Sequence, residues 1–257
     1  MTVAVAPSCT ACGVCIATCP THALLPSARR PHVVDDRCTD CWLCLEVCPV
    51  DALTPVPGPH PIEVESYRIL EDRLDMSAWP EPERAVVARV VHATADVELA
   101  ATMRLGPQAV DAVVAALRRR APLICDAHML RVGLTGVDAV CLLDDVPTVP
   151  LGGTRSAAAI ALAAQRYPDG AVWVVGNAPT ALAELVRLHA AGDVVPAAVV
   201  GLPVGFVGAA DAKAALWDSP LRAVSITNVG EKGGTPAAAG AVNALARLVP
   251  SERSAGH

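Results

Sequence analysis

Eight of the ten cysteines fall within the first 48 residues, and their spacing is that of ligands. Cys9, Cys12, Cys15 and Cys19, followed by Pro20, form C-x2-C-x2-C-x3-C-P, and Cys38, Cys41, Cys44, Cys48 and Pro49 repeat the pattern 29 residues later. Eight of the 16 positions aligned between residues 9–24 and 38–53 are identical, Thr10 with Thr39 and Ala23 with Ala52 among them, so the segment is an internal duplication. Three thiolates on one tight loop can each reach a different iron of a cubane, while the fourth must come from elsewhere. Zinc modules close instead with two C-x2-C pairs or with histidines, and disulfide frameworks are rare in the reducing cytosol. The chemistry expected here is one-electron transfer by [4Fe-4S] clusters.

A second set of candidates lies further on, at turns built to open helices. Gly152-Gly153-Thr154-Arg155 offers Thr154 as an N-cap, Gly176-Asn177-Ala178-Pro179 offers Asn177, and Gly233-Gly234-Thr235-Pro236 offers Thr235. Each exposes backbone donors where an anion is stabilised. Neither G-x-G-x-x-G nor G-x4-G-K-[ST] occurs at these turns, so nucleotide binding is not supported. Arg155 adds a guanidinium at such a start, which points to an acidic ligand. His92 belongs to the polar stripe Arg89, His92 and Asp96 of a helix expected over residues 83–95, opposite the apolar stripe Val87, Val90, Val91 and Thr94. On pattern alone this reads first as a surface histidine with a salt-bridge partner four residues on; where the stripe faces a cleft, Asp96 would keep the imidazole protonated as a general acid. Asp126 and His128 could form half of a metal site, without an evident third ligand, and Cys125 and Cys141 read as inert core thiols.

Positioning these residues takes two modules. Residues 54–61 hold five prolines or glycines, suited to neither helix nor central strand, and read as a semi-rigid linker. Beyond it, strand-like runs at 123–125, 137–143, 171–175, 197–200 and 223–226 alternate with helical patterns at 107–120, 155–166, 178–190, 209–217 and 236–248. That alternation means a mostly parallel sheet with helices on both faces, which binds ligands at the carboxyl ends of its strands. The expected fold is an α+β ferredoxin-like two-cluster module (1–57), a Pro-rich linker (58–61) and an α/β domain with a mostly parallel sheet flanked by helices (62–257).

Composition narrows the function classes. The 257 residues carry a net charge of −6 with 3% aromatics, leaving neither a basic phosphate-tracking surface nor rings for stacking bases, so no nucleic-acid partner is expected. Mean hydropathy is +0.43, yet the longest apolar stretch, residues 194–210, is broken by Pro196, Gly201, Pro203, Gly205 and Gly208, and no membrane span is expected. Residues 1–8 do not read as a signal peptide, and a cytoplasmic protein with reduced thiols is expected.

Over about residues 7–57 the chain resembles the bacterial two-cluster ferredoxins, in which the remote cysteine of each run crosses to the other cluster. The resemblance assigns Cys9, Cys12, Cys15 and Cys48 to one [4Fe-4S] cluster, and Cys38, Cys41, Cys44 and Cys19 to a second. From about Ile62 onward the chain resembles the precorrin-8X methylmutases of corrinoid (vitamin B12) biosynthesis. The resemblance is carried by Ile62-Glu-Val-Glu-Ser66-Tyr67-Arg-Ile69, Val90-Val-His92-Ala93-Thr94-Ala95-Asp96, Ile124-Cys-Asp126-Ala-His-Met129, Gly153-Thr-Arg155-Ser156-Ala, Gly176-Asn177-Ala-Pro-Thr-Ala-Leu182, Gly201-Leu-Pro203-Val-Gly205-Phe206-Val-Gly208 and Gly233-Gly234. Residues 210–213, Ala-Asp-Ala-Lys, depart from the family's Glu-Ser-Lys run.

This second resemblance implies an isomerase that moves the C-11 methyl group to C-12, giving hydrogenobyrinate or its cobalt counterpart, on a homodimer with sites at the subunit boundary. The family's essential histidine falls on His92, which would protonate a ring nitrogen beside the migrating centre. Ser66, Thr135 and Arg155, with Asn177, Gly205, Gly233 and Gly234, would line the pocket for a polycarboxylate corrinoid. The migration transfers no net electrons and needs no cofactor, so the ferredoxin would serve a neighbouring redox step through a partner of the corrinoid pathway. The alternative is an electron-transfer or scaffold protein using the methylmutase fold as a corrinoid-binding platform. Intact His92 and Arg155 favour the isomerase.

Overall fold

The structure, a computed structural model, describes residues 2–39, 41–56 and 61–249. The chain divides into two compact units, residues up to Arg68 and residues from Ile69 onward.

In the first unit β1 (Thr2–Val5) pairs antiparallel with β4 (Leu53–Val56), and between them come α1 (Val14–Thr18), β2 (Leu24–Leu25), β3 (His32–Val33) and α2 (Leu43–Glu46). β2 and β3 pair antiparallel, Leu24 opposite Val33. The duplication extends to the backbone. Gly13 (φ 79°) and Trp42 (φ 59°) start the two short helices in the left-handed region, and His22 (φ 53°) and Asp51 (φ 48°) follow the two remote cysteines in the same conformation. Val3, Cys15, Leu24, Cys44 and Leu53 form a small core. Pro55, expected in a linker, lies in β4 opposite Val3; a two-stranded sheet consists only of edges, where a missing N–H is tolerated. Of the rest of the expected linker, residues 57–60 lie outside the described residues, and Pro61 already begins a helix, where a first-turn proline is tolerated.

After α3 (Pro61–Arg73), the chain runs through α4 (Glu83–Thr94), α5 (Glu98–Thr102), β5 (Met103–Leu105), α6 (Ala109–Arg118), β6 (Leu123–Cys125), α7 (His128–Gly133) and β7 (Ala139–Val140). It continues as α8 (Arg155–Arg166), β8 (Val172–Val175), α9 (Pro179–Ala191), β9 (Ala198–Gly201), α10 (Ala209–Asp218), β10 (Ser225–Asn228) and α11 (Thr235–Ala246). The six strands are ordered β5-β10-β9-β8-β6-β7, all neighbours parallel except β5, an antiparallel edge strand that the sequence reading lacks. The strand expected over 137–143 shrinks to two residues.

Both sheet faces are covered, as a parallel sheet requires. Val172 and Val174 of β8 join one core with α4, α6 and α11, whereas Trp173 and Val175 join the other with α8, α9 and α10. Small residues bring α11 close to α4: a Cβ on Gly240 would lie 3.1 Å from the Arg89 carbonyl oxygen and 3.3 Å from Ala93 Cβ. The departure at residues 210–213 leaves the start of α10 intact at Ala209.

From β6 the chain steps outward to β7, then returns to β8 and proceeds the other way, so a crevice opens between the carboxyl ends of β6 and β8. Asp126, 1% exposed, fills it. One carboxylate oxygen accepts the Gly176 N–H at 3.0 Å, and the other accepts those of Asn177 at 2.9 Å and Ala178 at 2.6 Å. Burial pushes the Asp126 pKa up while these three donors pull against it. Asn177, the expected cap of α9, therefore does not cap; the N-cap position is Ala178, and the oxygen comes from 50 residues upstream.

Two stability predictions follow from these packings. Asp126→Ala leaves three amides at the start of α9 without their acceptor and is expected to cost roughly 1–3 kcal/mol in urea unfolding; an unchanged midpoint would mean that water replaces the carboxylate without loss. At Gly106 an added Cβ would sit 1.9 Å from the Arg222 carbonyl oxygen and 2.7 Å from that of Ala223. Gly106→Ala must displace this backbone, at an expected cost of about 1–3 kcal/mol measured the same way.

Candidate functional site

Two cavities open in the first unit, each lined by four thiols. Cys9, Cys12, Cys15 and Cys48 border one, with Gly13 at its wall, and Cys19, Cys38, Cys41 and Cys44 border the other, with Trp42 in the equivalent place. Each set takes three cysteines from one repeat and the remote one from the other. No three His, Cys, Asp or Glu side chains among the described residues gather closely enough for a single ion. Soft donors spread around a larger volume suit an iron–sulfur cluster.

The thiol electrostatics differ from position to position. Burial, followed by weaker repulsion from neighbouring thiols, pushes the Cys15 and Cys44 thiols up, a cost that bound metal relieves. At Cys19 burial acts in the same direction, but the Ala23 N–H and the Thr21 hydroxyl outweigh it and hold the thiol below its ordinary value. Ala23 N–H donates to Cys19 Sγ at 3.3 Å and Ala52 N–H to Cys48 Sγ at 3.2 Å, so the repeated alanines supply equivalent donors to the two remote cysteines. Such N–H···S bonds tune cluster potential.

In the second unit Arg155, Asn177, Gly205, Gly233 and Gly234 lie on or at the end of the connections that follow β7, β8, β9 and β10, whereas Thr135 lies between α7 and β7 and His92 on the last turn of α4. Gly205 N–H donates to the Glu231 carbonyl at 3.1 Å and Gly234 N–H to that of Leu202 at 2.8 Å, joining the loops after β9 and β10. The joint needs glycine, because a Cβ on Gly233 (φ 155°) would stand 2.4 Å from the Leu202 carbonyl oxygen. Thr154 caps α8 as expected, accepting the Ala157 N–H, and its hydroxyl meets that of Thr180 at 2.7 Å, tying α8 to α9. Arg155 is exposed and spends Nη1 on the carbonyls of Leu143 (3.4 Å) and Val146 (3.2 Å), which leaves its remaining donors for a ligand. Thr135 is held through its N–H by Asn243 Oδ1 at 2.9 Å, while Asn243 Nδ2 donates to Gly133 at 3.0 Å. Asn177 is exposed. Thr235 is the first residue of α11 rather than its cap, and its buried Oγ1 has no partner among the described residues. Ser66 lies in α3, within the first unit.

His92 is half-buried in the last turn of α4, the end of a helix that favours cations. The expected pairing with Asp96 changes, because Ala95 (φ 54°) ends the helix at Thr94 and Asp96 is no longer one turn on. Asp96 instead takes Lys232 Nζ at 2.7 Å and the Glu98 N–H at 3.1 Å. The hydrogen bond from Lys232 holds its carboxyl below the usual range. Lys232 also binds Glu98 at 2.7 Å, so the loop bearing Gly233 and Gly234 is fastened to the segment directly after His92. Asp126, committed to amides, supplies no metal ligand. His128 Nε2 lies 3.0 Å from Asp144 Oδ2, an ion-pair separation without hydrogen-bond geometry.

The sequence reading missed Asn243, the capping role of Asp126, and Lys213. Lys213 is 1% exposed on α10 and donates to the carbonyls of Gly230 at 2.9 Å and of Lys232. A signal was present: Ala209, Ala212, Lys213 and Leu216 follow the buried-face period of a helix.

The sequence model of the precorrin-8X methylmutase family matches residues 61–248, and that of the 4Fe-4S dicluster domain matches residues 8–52. A precorrin-8X methylmutase from Sinorhizobium sp. is 39% identical over 192 residues, covering 71% of this chain and 91% of the relative. A cobalt-precorrin-8 methylmutase from Priestia megaterium is 34% identical over 204 residues, 75% of this chain and 89% of the relative. The crystal structure of precorrin-8x methyl mutase from Thermus thermophilus superposes with a TM-score of 0.67 at 38% identity, covering 73% of this chain and 94% of that one. These relatives are spanned almost end to end by less than four-fifths of this chain. Together with the loops gathered at the sheet's carboxyl edge, these matches make the chain a member of the precorrin-8X methylmutase family, an isomerase family, here carrying an additional 4Fe-4S dicluster domain.

Proposed function

We propose that the chain moves the methyl group at C-11 of precorrin-8X, or of its cobalt form, to C-12. The observation that carries this reading is the placement of His92: a half-buried imidazole on the last turn of α4, followed at once by the segment that Lys232 fastens to the glycine loop. His92 donates a proton to a ring nitrogen beside the migrating centre, which eases the shift, and recovers it once the ring has rearranged. Arg155 and Thr135, with Ser66, Asn177, Gly205, Gly233 and Gly234, bind the carboxylate arms of the corrinoid. The site is completed in a homodimer in the cytoplasm.

Two [4Fe-4S] clusters belong to the N-terminal domain, one on Cys9, Cys12, Cys15 and Cys48, the other on Cys38, Cys41, Cys44 and Cys19. When bound they supply one-electron transfer. Methyl migration within one molecule is redox-neutral and uses no cofactor, so the electrons go to a neighbouring redox step through a partner. The domain boundaries in this reading are 1–57 and 62–257, with 58–61 between.

His92→Ala is expected to lower turnover by about 10²–10⁴-fold while product binding stays within a few-fold, because the imidazole acts on the transition state. Turnover is followed by the absorption of the rearranged ring, with anaerobically purified protein and both metal-free and cobalt-loaded substrates; full activity in the variant would end the assignment. Intact protein is expected to hold about eight irons, four for each of two clusters. Deleting residues 1–57 removes the iron and leaves migration within a few-fold. Loss of migration from a truncated chain that remains folded would make the clusters part of the isomerase.

A further inference from the structure

The chain has two lysines among its 20 basic residues, and both act on the loop between β10 and α11. They pull in opposite senses. Lys232 reaches outward from the loop to Asp96 and Glu98, whereas Lys213 enters from α10 below and takes two of the loop's carbonyls.

Lys213 is buried without a carboxylate partner among the described residues. Burying an ammonium in that way is costly, and a hydrophobic side chain at this helical position would pack without the penalty. Desolvation lowers its pKa to about 8, so the amine still carries its charge at neutral pH. What the charge accomplishes is visible in the peptide planes. In a trans peptide the carbonyl of one residue and the N–H of the next point in opposite directions. With the carbonyls of Gly230 and Lys232 drawn to Nζ, the N–H groups of Glu231 and Gly233 face away from the buried amine, and neither has a hydrogen-bond partner among the described residues. Asn228 Nδ2 reinforces the arrangement, donating to the Lys232 carbonyl at 2.9 Å. Directly after the glycine pair, Thr235, 7% exposed, carries a buried hydroxyl with no partner among the described residues.

We infer that Lys213 is a positioning residue whose ammonium sets two peptide planes so that the Glu231 and Gly233 N–H groups form a paired donor for one carboxylate of the substrate. Paired backbone N–H groups of this kind make an anion-binding concavity. The inference rests on the reading of this loop as part of the corrinoid site. Donors held in place bind ground state and transition state alike, so their loss appears in KM and product affinity more than in kcat.

The test uses the full-length protein with hydrogenobyrinate, the metal-free product, and its precursor. In the wild type, hydrogen exchange of the peptide covering residues 229–234 slows when the product is added. Lys213→Met weakens product binding about tenfold or more and raises KM in parallel, with kcat within a few-fold and an unchanged circular dichroism spectrum. Affinity within twofold of wild type in the folded variant overturns the inference, as does product binding that leaves residues 229–234 unprotected in the wild type. The second measurement decides even if the variant does not fold. A wild type that neither binds nor converts the corrinoid would instead refute the proposed function itself.

Discussion

A parallel sheet covered on both faces ends in a row of strand termini whose backbone groups have lost their ladder partners, and the second unit is organised by how those groups are satisfied. At β6 and β8 the solution is a carboxylate, with Asp126 accepting three amides at the start of α9. At β9 and β10 it is loop against loop, with Gly205 and Gly234 donating across to Glu231 and Leu202. Both devices require close approach, which glycine permits: Gly176 lies where a Cβ would press on Ala238, and Gly233 where it would meet the Leu202 carbonyl. A rim built this way is held by buried hydrogen bonds, and the proposed polyanionic ligand would use the donors it leaves over.

Electrostatics refine that frame with few charges. Lys232 joins the β10–α11 loop to Asp96 and Glu98, immediately past the helix that carries His92. Exposed ion pairs contribute little to stability, so the value of this one lies in position more than in energy. Arg155 follows the same economy: one nitrogen is anchored to the loop carbonyls of Leu143 and Val146, and the rest of its fork stays at the surface.

The N-terminal unit solves a different problem, since about fifty residues cannot bury enough apolar surface to be robust alone. Its core cluster among the described residues is five side chains, two of them cysteines of the proposed cluster sets, so metal binding and folding would be one process. The duplication supplies equivalent halves, yet they are not identical. Gly13 leaves open space beside one cavity, while its counterpart Trp42 packs against the core beside the other. Two clusters in these settings would differ in solvent exposure, one of the levers on reduction potential.

Much of this was legible along the chain. The cysteine loops are local, so spacing alone carries the ligand chemistry, and α8 over residues 155–166 and β6 over 123–125 fall where periodicity placed them, because burial patterns of 3.6 and continuous apolar runs are local too. Thr154 caps α8 because nothing distant competes for its amides. Asn177 loses the same role to Asp126, a carboxyl acceptor 50 residues away whose two oxygens satisfy three donors where an amide side chain satisfies one. Asp96 was matched with His92 by helical spacing, but the left-handed turn at Ala95 ended the helix and gave the carboxylate to a lysine 136 residues later. Lys213 looks like an ordinary surface lysine until the loop after β10 closes over it. Pattern along the chain determines which elements form; which polar groups meet is decided only when the strand ends converge, because buried donors and acceptors must be paired by whatever the fold brings within reach.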